Sequence, residues 1–168
     1  MRRKSFADMD CGIAQALERI GDPWSILILR EAMFGVSSFD EFHERLKMPR
    51  NTLSVKLSHL VDGGVLVRRD DPTDGRRKIY ELGESGREFW VVMLALQQWG
   101  HRWALDGGAP PSFIADRAEG RPVAPLTPRD QSGAALDFDD VTMALGPGAT
   151  EALKKHLAKA NSEQEEPS

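Results

Sequence analysis

The stretch Met48-Pro49-Arg50-Asn51-Thr52-Leu53-Ser54-Val55-Lys56-Leu57-Ser58-His59-Leu60-Val61 carries apolar residues at helical spacing. Leu53, Leu57, Leu60 and Val61 define one buried stripe. At about 100° per residue, Asn51, Val55 and Ser58 point away from it, flanked by Thr52, Ser54 and His59. That outer face is short and mostly polar, with Arg50 and Lys56 at its margins. A helix offered only to water more often carries long Glu and Lys side chains in pairs. Short hydrogen-bonding side chains instead suit close approach to base edges and phosphates. An ordinary surface helix stays open as the alternative until the flanking chain is considered.

The flanks favour DNA. Residues 38–46 read as a preceding short helix, with Ser38 as its cap and Phe39, Phe42 and Leu46 as its apolar stripe. Pro49 suits the first position of the next helix, where its missing N–H would have gone unpaired. Asp62-Gly63-Gly64 ends that helix, since glycine supplies the left-handed backbone of such a stop. Residues 65–67 begin a strand, 71–75 form a turn and 79–82 are the return strand. Arg68 and Arg69 lie before the turn; Arg76, Arg77 and Lys78 lie after it. A basic hairpin directly after a helix-turn-helix reads as a wing. The predicted fold is therefore mainly α, in an α+β sense: a winged helix-turn-helix.

The chain has 168 residues, enough for one cored domain and an appendage. With 29% charged and 40% hydrophobic residues it has the composition of a globular protein. Its strongest apolar run, residues 26–29, is far too short to span a bilayer, and the basic start Met1-Arg2-Arg3-Lys4 leads into no signal-peptide core. No membrane partner and a cytoplasmic location are expected. The formal charge of −4 conceals an uneven distribution. Residues 1–105 hold 16 Lys/Arg against 15 Asp/Glu, and residues 106–168 hold 6 against 11. Within residues 45–78 the count is 9 basic to 4 acidic, and phosphate attraction depends on charge close to the contact.

Upstream, residues 1–10 read as mobile or as an arm. Residues 12–20 form a short helix with Ile13, Ala16, Leu17 and Ile20 on one side, closed by Gly21. Asp22-Pro23 opens a nearly all-apolar helix that should be central, with Trp24 anchoring core packing. Downstream, residues 84–105 read as the longest helix. Phe89, Val92, Met93, Leu96, Gly100, Trp99 and Trp103 share its apolar arc, which is broader than one core contact needs. Such an arc suggests a partner helix, with Phe89, Val92, Met93, Leu96, Trp99 and Trp103 forming a dimer interface together with residues 12–20; packing of the arc on residues 12–20 within one chain is the other reading. The division predicted is 1–105, a DNA-binding and dimerisation domain; 106–148, a linker and small β-rich extension with short strands in 121–127 and 135–145; and 149–168. In the last segment, residues 149–160 read as a helix and 162–168 as disordered.

Several ordered motifs resemble one family. Cys11-Gly12-Ile13-Ala14, the run from Ile20-Gly21-Asp22-Pro23-Trp24 to Arg30, Phe39-Asp40-Glu41-Phe42, Asn51-Thr52-Leu53-Ser54 and Gln98-Trp99-Gly100 look like those of HxlR-type regulators, winged helix-turn-helix transcription factors of the broader MarR-like group. The resemblance covers roughly residues 9–105. It implies a homodimer that binds a pseudo-palindromic operator on double-stranded DNA. At the start of the last helix, Gly83 stands where the family has a capping Thr, a modest local loss. Some relatives carry a cysteine-rich, zinc-ribbon-like segment after the winged helix; this chain has no cysteine there, so no metal or other cofactor is expected.

On this reading Asn51, Thr52, Ser54, Val55, Ser58 and His59 face the major groove, and Arg50 and Lys56 hold phosphates. Arg76, Arg77 and Lys78 contact backbone or minor groove, with Arg68 and Arg69 as weaker candidates. Cys11, the only cysteine, is a candidate redox sensor; a thiol packed quietly under the dimer helices is the other reading. A small effector held between the long C-terminal helix and the recognition helix is a further option, compatible with this reading. The four histidines lack paired metal spacing, and no phosphate-binding glycine loop or nucleophile elbow occurs, so no enzyme is expected. A winged helix that binds only protein is the rival, opposed by the basic wing.

Overall fold

The computed structural model describes residues 5–164. Four helices open the chain: α1 (Gly12–Ile20), α2 (Pro23–Met33), α3 (Phe39–Leu46) and α4 (Arg50–Asp62). A hairpin of β1 (Leu66–Asp70) and β2 (Lys78–Leu82) follows, then α5 (Glu84–Glu88), α6 (Trp90–Trp103) and α7 (Glu151–Gln164). The winged helix-turn-helix read from the sequence is present.

Local chemistry starts the helices where expected. Asp22 Oδ1 accepts from the backbone N–H groups of Trp24 and Ser25, at 3.0 and 3.3 Å, with Pro23 at the first turn of α2. Ser38 and Glu41 form a reciprocal capping box on α3, and the Ser38 hydroxyl and amide hold the Glu41 carboxyl below its ordinary pKa. Pro49 is the exception: it precedes α4 as its cap residue, with extended ψ of 134°. The tight turn before it is fixed by His43, whose Nδ1 donates to the Met48 carbonyl at 2.7 Å.

α2 packs on α3, α4 and β2, so it is the central helix. Ile28 and Leu29 are fully enclosed with Phe42, Met48, Leu53, Leu57 and Leu60. Each such side chain contributes about 1.5–3 kcal/mol by leaving water. Trp24, expected in this core, is instead exposed on the first turn of α2. β1 and β2 pair antiparallel from Leu66 opposite Leu82 to Asp70 opposite Lys78. A further bridge ties Ser38 to Ile79, and Tyr80 N donates to the Ser37 carbonyl at 2.8 Å. The wing is thereby fastened to the start of α3.

The long C-terminal helix is divided. Phe89, with ψ of −11°, forms a turn between α5 and α6. α5 presses on the end of α4's loop: a Cβ on Gly86 would lie 2.2 Å from the Val65 carbonyl oxygen. Only glycine permits that approach. Gly83 is similarly placed, 2.8 Å from the Gly64 carbonyl oxygen for an added Cβ, so the missing Thr there reflects crowding as well as a lost cap.

Three expectations outside the core need correction. Residues 5–10 are tied down: Ser5 Oγ and Phe6 N donate to the Glu18 carboxylate, and Gln15 Nε2 donates to the carbonyls of Ala7 and Met9. The strands expected in 121–127 and 135–145 are absent; isolated bridges Ala115–Pro122 and Arg129–Ala135 and a 3-10 turn at Phe138–Asp140 stand in their place. Side chains of α6 hold this extension, since Gln98 bonds Ala124 and Leu126, and Gln97 bonds Ile114. The terminal helix runs to Gln164, so part of the expected disordered tail is helical; residues 165–168 and 1–4 lie outside the described chain.

Candidate nucleic-acid interface

α4 is seated by Leu53, Leu57 and Leu60, all fully buried, and this fixes which side faces out. Asn51, Ser54, Val55 and Ser58 are exposed, and Thr52 is half-buried. Val55 is 64% exposed, an apolar side chain in the middle of a polar face. No side chain caps the amino end of α4, which leaves the first backbone N–H groups unclaimed by side chains. Arg50 stands beside them, paired with Asp40 at 2.9 Å and stacked 4.7 Å from the Phe39 ring centroid.

Two predicted contacts on this helix are not free. Lys56 reaches inward to Asp22, and both groups are mostly covered. Burial raises the Asp22 pKa, but the Lys56 hydrogen bond and charge, with the Ser25 and Trp24 amides, outweigh it and hold the carboxyl below its ordinary value. His59 Nε2 donates to the Glu18 carbonyl at 3.0 Å, fastening α4 to α1. Both residues position α4; neither faces out as expected.

The wing turn is built by its acids. Asp71 Oδ1 accepts from Thr73 Oγ1 and Thr73 N at 2.7 and 2.8 Å, bonds that lower the Asp71 pKa. Its cations are partly engaged: Arg69 pairs with Glu81 at 3.0 Å, Arg77 with Asp74 at 3.4 Å and Lys78 with Asp70. The side chains of Arg68 and Arg76 have no ion pair among the described residues. Exposed pairs of this kind are worth about 0–1 kcal/mol, so breaking them costs little. Arg50, Arg77 and Lys78 line one shallow recess with Ser38, Phe39 and Asp40. Helix and wing cations therefore converge, because the Ser38–Ile79 bridge draws the hairpin over α3.

Of the six residues predicted for a dimer face, Val92, Leu96, Trp99 and Trp103 are exposed, the two tryptophans by 61% and 65%. Phe89 packs against the core and Met93 is buried, so both are satisfied within their own chain. On α1, the other element expected in that face, Ile13 is 73% exposed and Leu17 and Ala16 also face solvent. α1 packs on α4, leaving its outer apolar side uncovered. Cys11, at the start of α1, is exposed.

The largely apolar cleft lies elsewhere than expected: between α2 and α6, bordered by Pro111 and Ile114, and away from α4. Among the described residues no cluster of His, Cys, Asp or Glu could hold a metal ion, and no helix is long and apolar enough to cross a membrane.

Comparison with known proteins adds to this geometry. Residues 19–107 match the model of the HxlR-like helix-turn-helix family. The chain is 35% identical over 136 residues to an uncharacterised HTH-type transcriptional regulator of Mycobacterium tuberculosis, covering 81% of this chain and 86% of that one. It is similar to the solved structure of PA1607, a candidate transcription factor, with a TM-score of 0.79 and 31% identity over 84% of this chain and 99% of that one. A second candidate transcription factor, PA1374 from Pseudomonas aeruginosa, gives a TM-score of 0.62 and 34% identity over 87% and 99% of the two chains. These alignments are longer than the family match, so they include part of the extension.

Proposed function

This chain belongs to the HxlR-like helix-turn-helix family and is a transcriptional regulator of the winged-helix type, and from that premise we propose that it acts as a homodimer on a pseudo-palindromic operator. The observation that carries the reading is the convergence of Arg50 with Arg77 and Lys78 in one recess beside the uncapped start of α4. A phosphate there meets backbone N–H groups, the positive helix end and three cations. Asn51, Ser54, Val55 and Ser58 then enter the major groove, with Thr52 at the edge, where Val55 suits a thymine methyl and Asn51 suits adenine. Arg76, with Arg68 behind it, reaches the flanking backbone or minor groove.

The dimer is formed by the outer side of α1 and by Val92, Leu96, Trp99 and Trp103 of α6, apolar surface that a second copy removes from water. Two recognition helices are then presented about one turn of the duplex apart. Cys11 lies at the edge of that interface, where oxidation would alter the spacing of the two wings, and a small effector is a second input. The test is sedimentation and fluorescence anisotropy with the duplex upstream of the protein's own gene and with random duplex. Two chains per duplex and a preference of about a thousandfold or more support the proposal. A single chain per duplex, or equal affinity for both, overturns it.

A further inference from the structure

The cleft between α2 and α6 has a volume of about 320 Å³, at the lower end of the range of about 300–1,000 Å³ usual for small-molecule sites. Its walls are Ile26, Leu27 and Met33 from α2 and Met93 from α6, with Leu96 shared between the cleft and the proposed dimer face, and Ile114 of the extension closes a third side. We propose that this cleft binds a neutral, largely apolar molecule of about two fused rings that carries one hydrogen-bond acceptor. The proposal deepens the effector element of the function above, and its test uses no DNA.

Three observations set that chemistry. Gly100 lines the cleft, and a Cβ added there meets nothing within 4 Å, so open space reaches the backbone of α6. The nearest cation is already committed: Arg30 donates from Nε and Nη2 to Glu31 Oε1, at 3.0 and 2.6 Å, and that carboxylate is nearly buried. Arg30 is the one Lys, Arg, Asp or Glu side chain among the residues that line the cleft, and its pairing with Glu31 offsets its charge, so the lining favours a neutral ligand. Gln97, finally, uses Oε1 to accept from Ile114 N at 3.0 Å, which leaves its amide Nε2 as a donor without a partner among the described residues. One carbonyl or ether oxygen satisfies it. The remaining polar liners are Ser112 and His101.

The site is coupled to DNA-facing structure through α2. That helix packs on α4, and Asp22 at its start holds Lys56. A molecule that wedges α2 from α6 therefore acts on the seat of the recognition helix.

The probe is 6-propionyl-2-dimethylaminonaphthalene, a neutral two-ring fluorophore with one carbonyl, titrated into the full chain. The expected result is saturable binding of one probe per chain with blue-shifted emission. Gly100→Leu fills the cleft from a helix position that favours leucine over glycine, and Leu27→Phe fills it from α2. Each weakens binding by about tenfold or more while thermal melting shows a folded protein. Gln97→Glu keeps the acceptor for Ile114 N but removes the donor, and weakens binding by about tenfold. Phe138→Ser, on the exposed extension, leaves binding unchanged. Unsaturable binding, or affinity indifferent to both filling variants, overturns the site. Tighter binding of the anionic 8-anilino-1-naphthalenesulfonate, abolished by Gly100→Leu, overturns the neutral-ligand assignment.

Discussion

Lys56 on α4 and Asp22 at the start of α2 form an ion pair that is mostly covered, and Asp22 simultaneously caps α2. One carboxylate thus sets both the beginning of the central helix and the position of the recognition helix. The pair converts a residue with the composition of a phosphate contact into a structural one.

Lys56→Ala should accordingly lower stability by about 1–2 kcal/mol, because it leaves a partly buried carboxylate with only amide partners. The salt slope of DNA binding should stay at the wild-type value. Urea denaturation read beside a salt titration separates these outcomes; a slope reduced by about one unit would return Lys56 to the phosphate contacts.

Acid should weaken the same node. The Asp22 pKa is depressed in the folded chain, so its contribution is complete above the ordinary carboxylate value of 3.8 and is lost as pH falls through the folded value. Asp22→Ala should cost about 1–2 kcal/mol at neutral pH, as losses of helix caps do. The gap between wild type and variant should narrow below about pH 4. Denaturation midpoints measured from neutral pH downward check this, and a gap that widens in acid contradicts it.

Two helical glycines should respond oppositely to alanine. Gly86→Ala sets a methyl 2.2 Å from the Val65 carbonyl oxygen and should destabilise by about 1–3 kcal/mol despite better helix propensity. Gly100→Ala meets open space in the middle of α6 and should stabilise by up to about 1 kcal/mol. Thermal melts of the pair decide it.

The exposed stripe of α6 should govern assembly. Trp99→Glu buries a charge in the proposed dimer face and should raise the dimer dissociation constant by about a hundredfold, a cost of about 3 kcal/mol. The fold should survive, since Trp99 is exposed in the single chain. Sedimentation equilibrium reads the shift; an unchanged dimer would place the interface elsewhere.

The capping signals were legible because they are local: Asp22-Pro23 and Ser38 with Glu41 act within one helical turn. The stripe of α4 and the basic hairpin were legible for the same reason, their period and turn chemistry being written in adjacent residues. Lys56 and His59 were misplaced because their partners, Asp22 and Glu18, are distant in sequence. Helical periodicity puts both residues at the margin of the outer face and cannot say which way a long side chain bends. Gly86 held a signal that went unread: a glycine where a helix should begin marks a close approach, here to Val65. In the extension, apolar residues at strand-like spacing are held by Gln97 and Gln98 of α6 and not by each other, so no ladder forms.

In this reading α4 and the wing grip a duplex through Arg68 and Arg76, which have no ion pair among the described residues, and through Arg50, Arg77 and Lys78, whose ion pairs are exposed. The direct measurement is the dependence of affinity on salt, on upstream and random duplex, for the wild type and Arg76→Ala. The account predicts a steep slope for the wild type that Arg76→Ala reduces by about one unit on both duplexes. A flat wild-type slope, or a variant slope identical to a steep wild-type one, would contradict it.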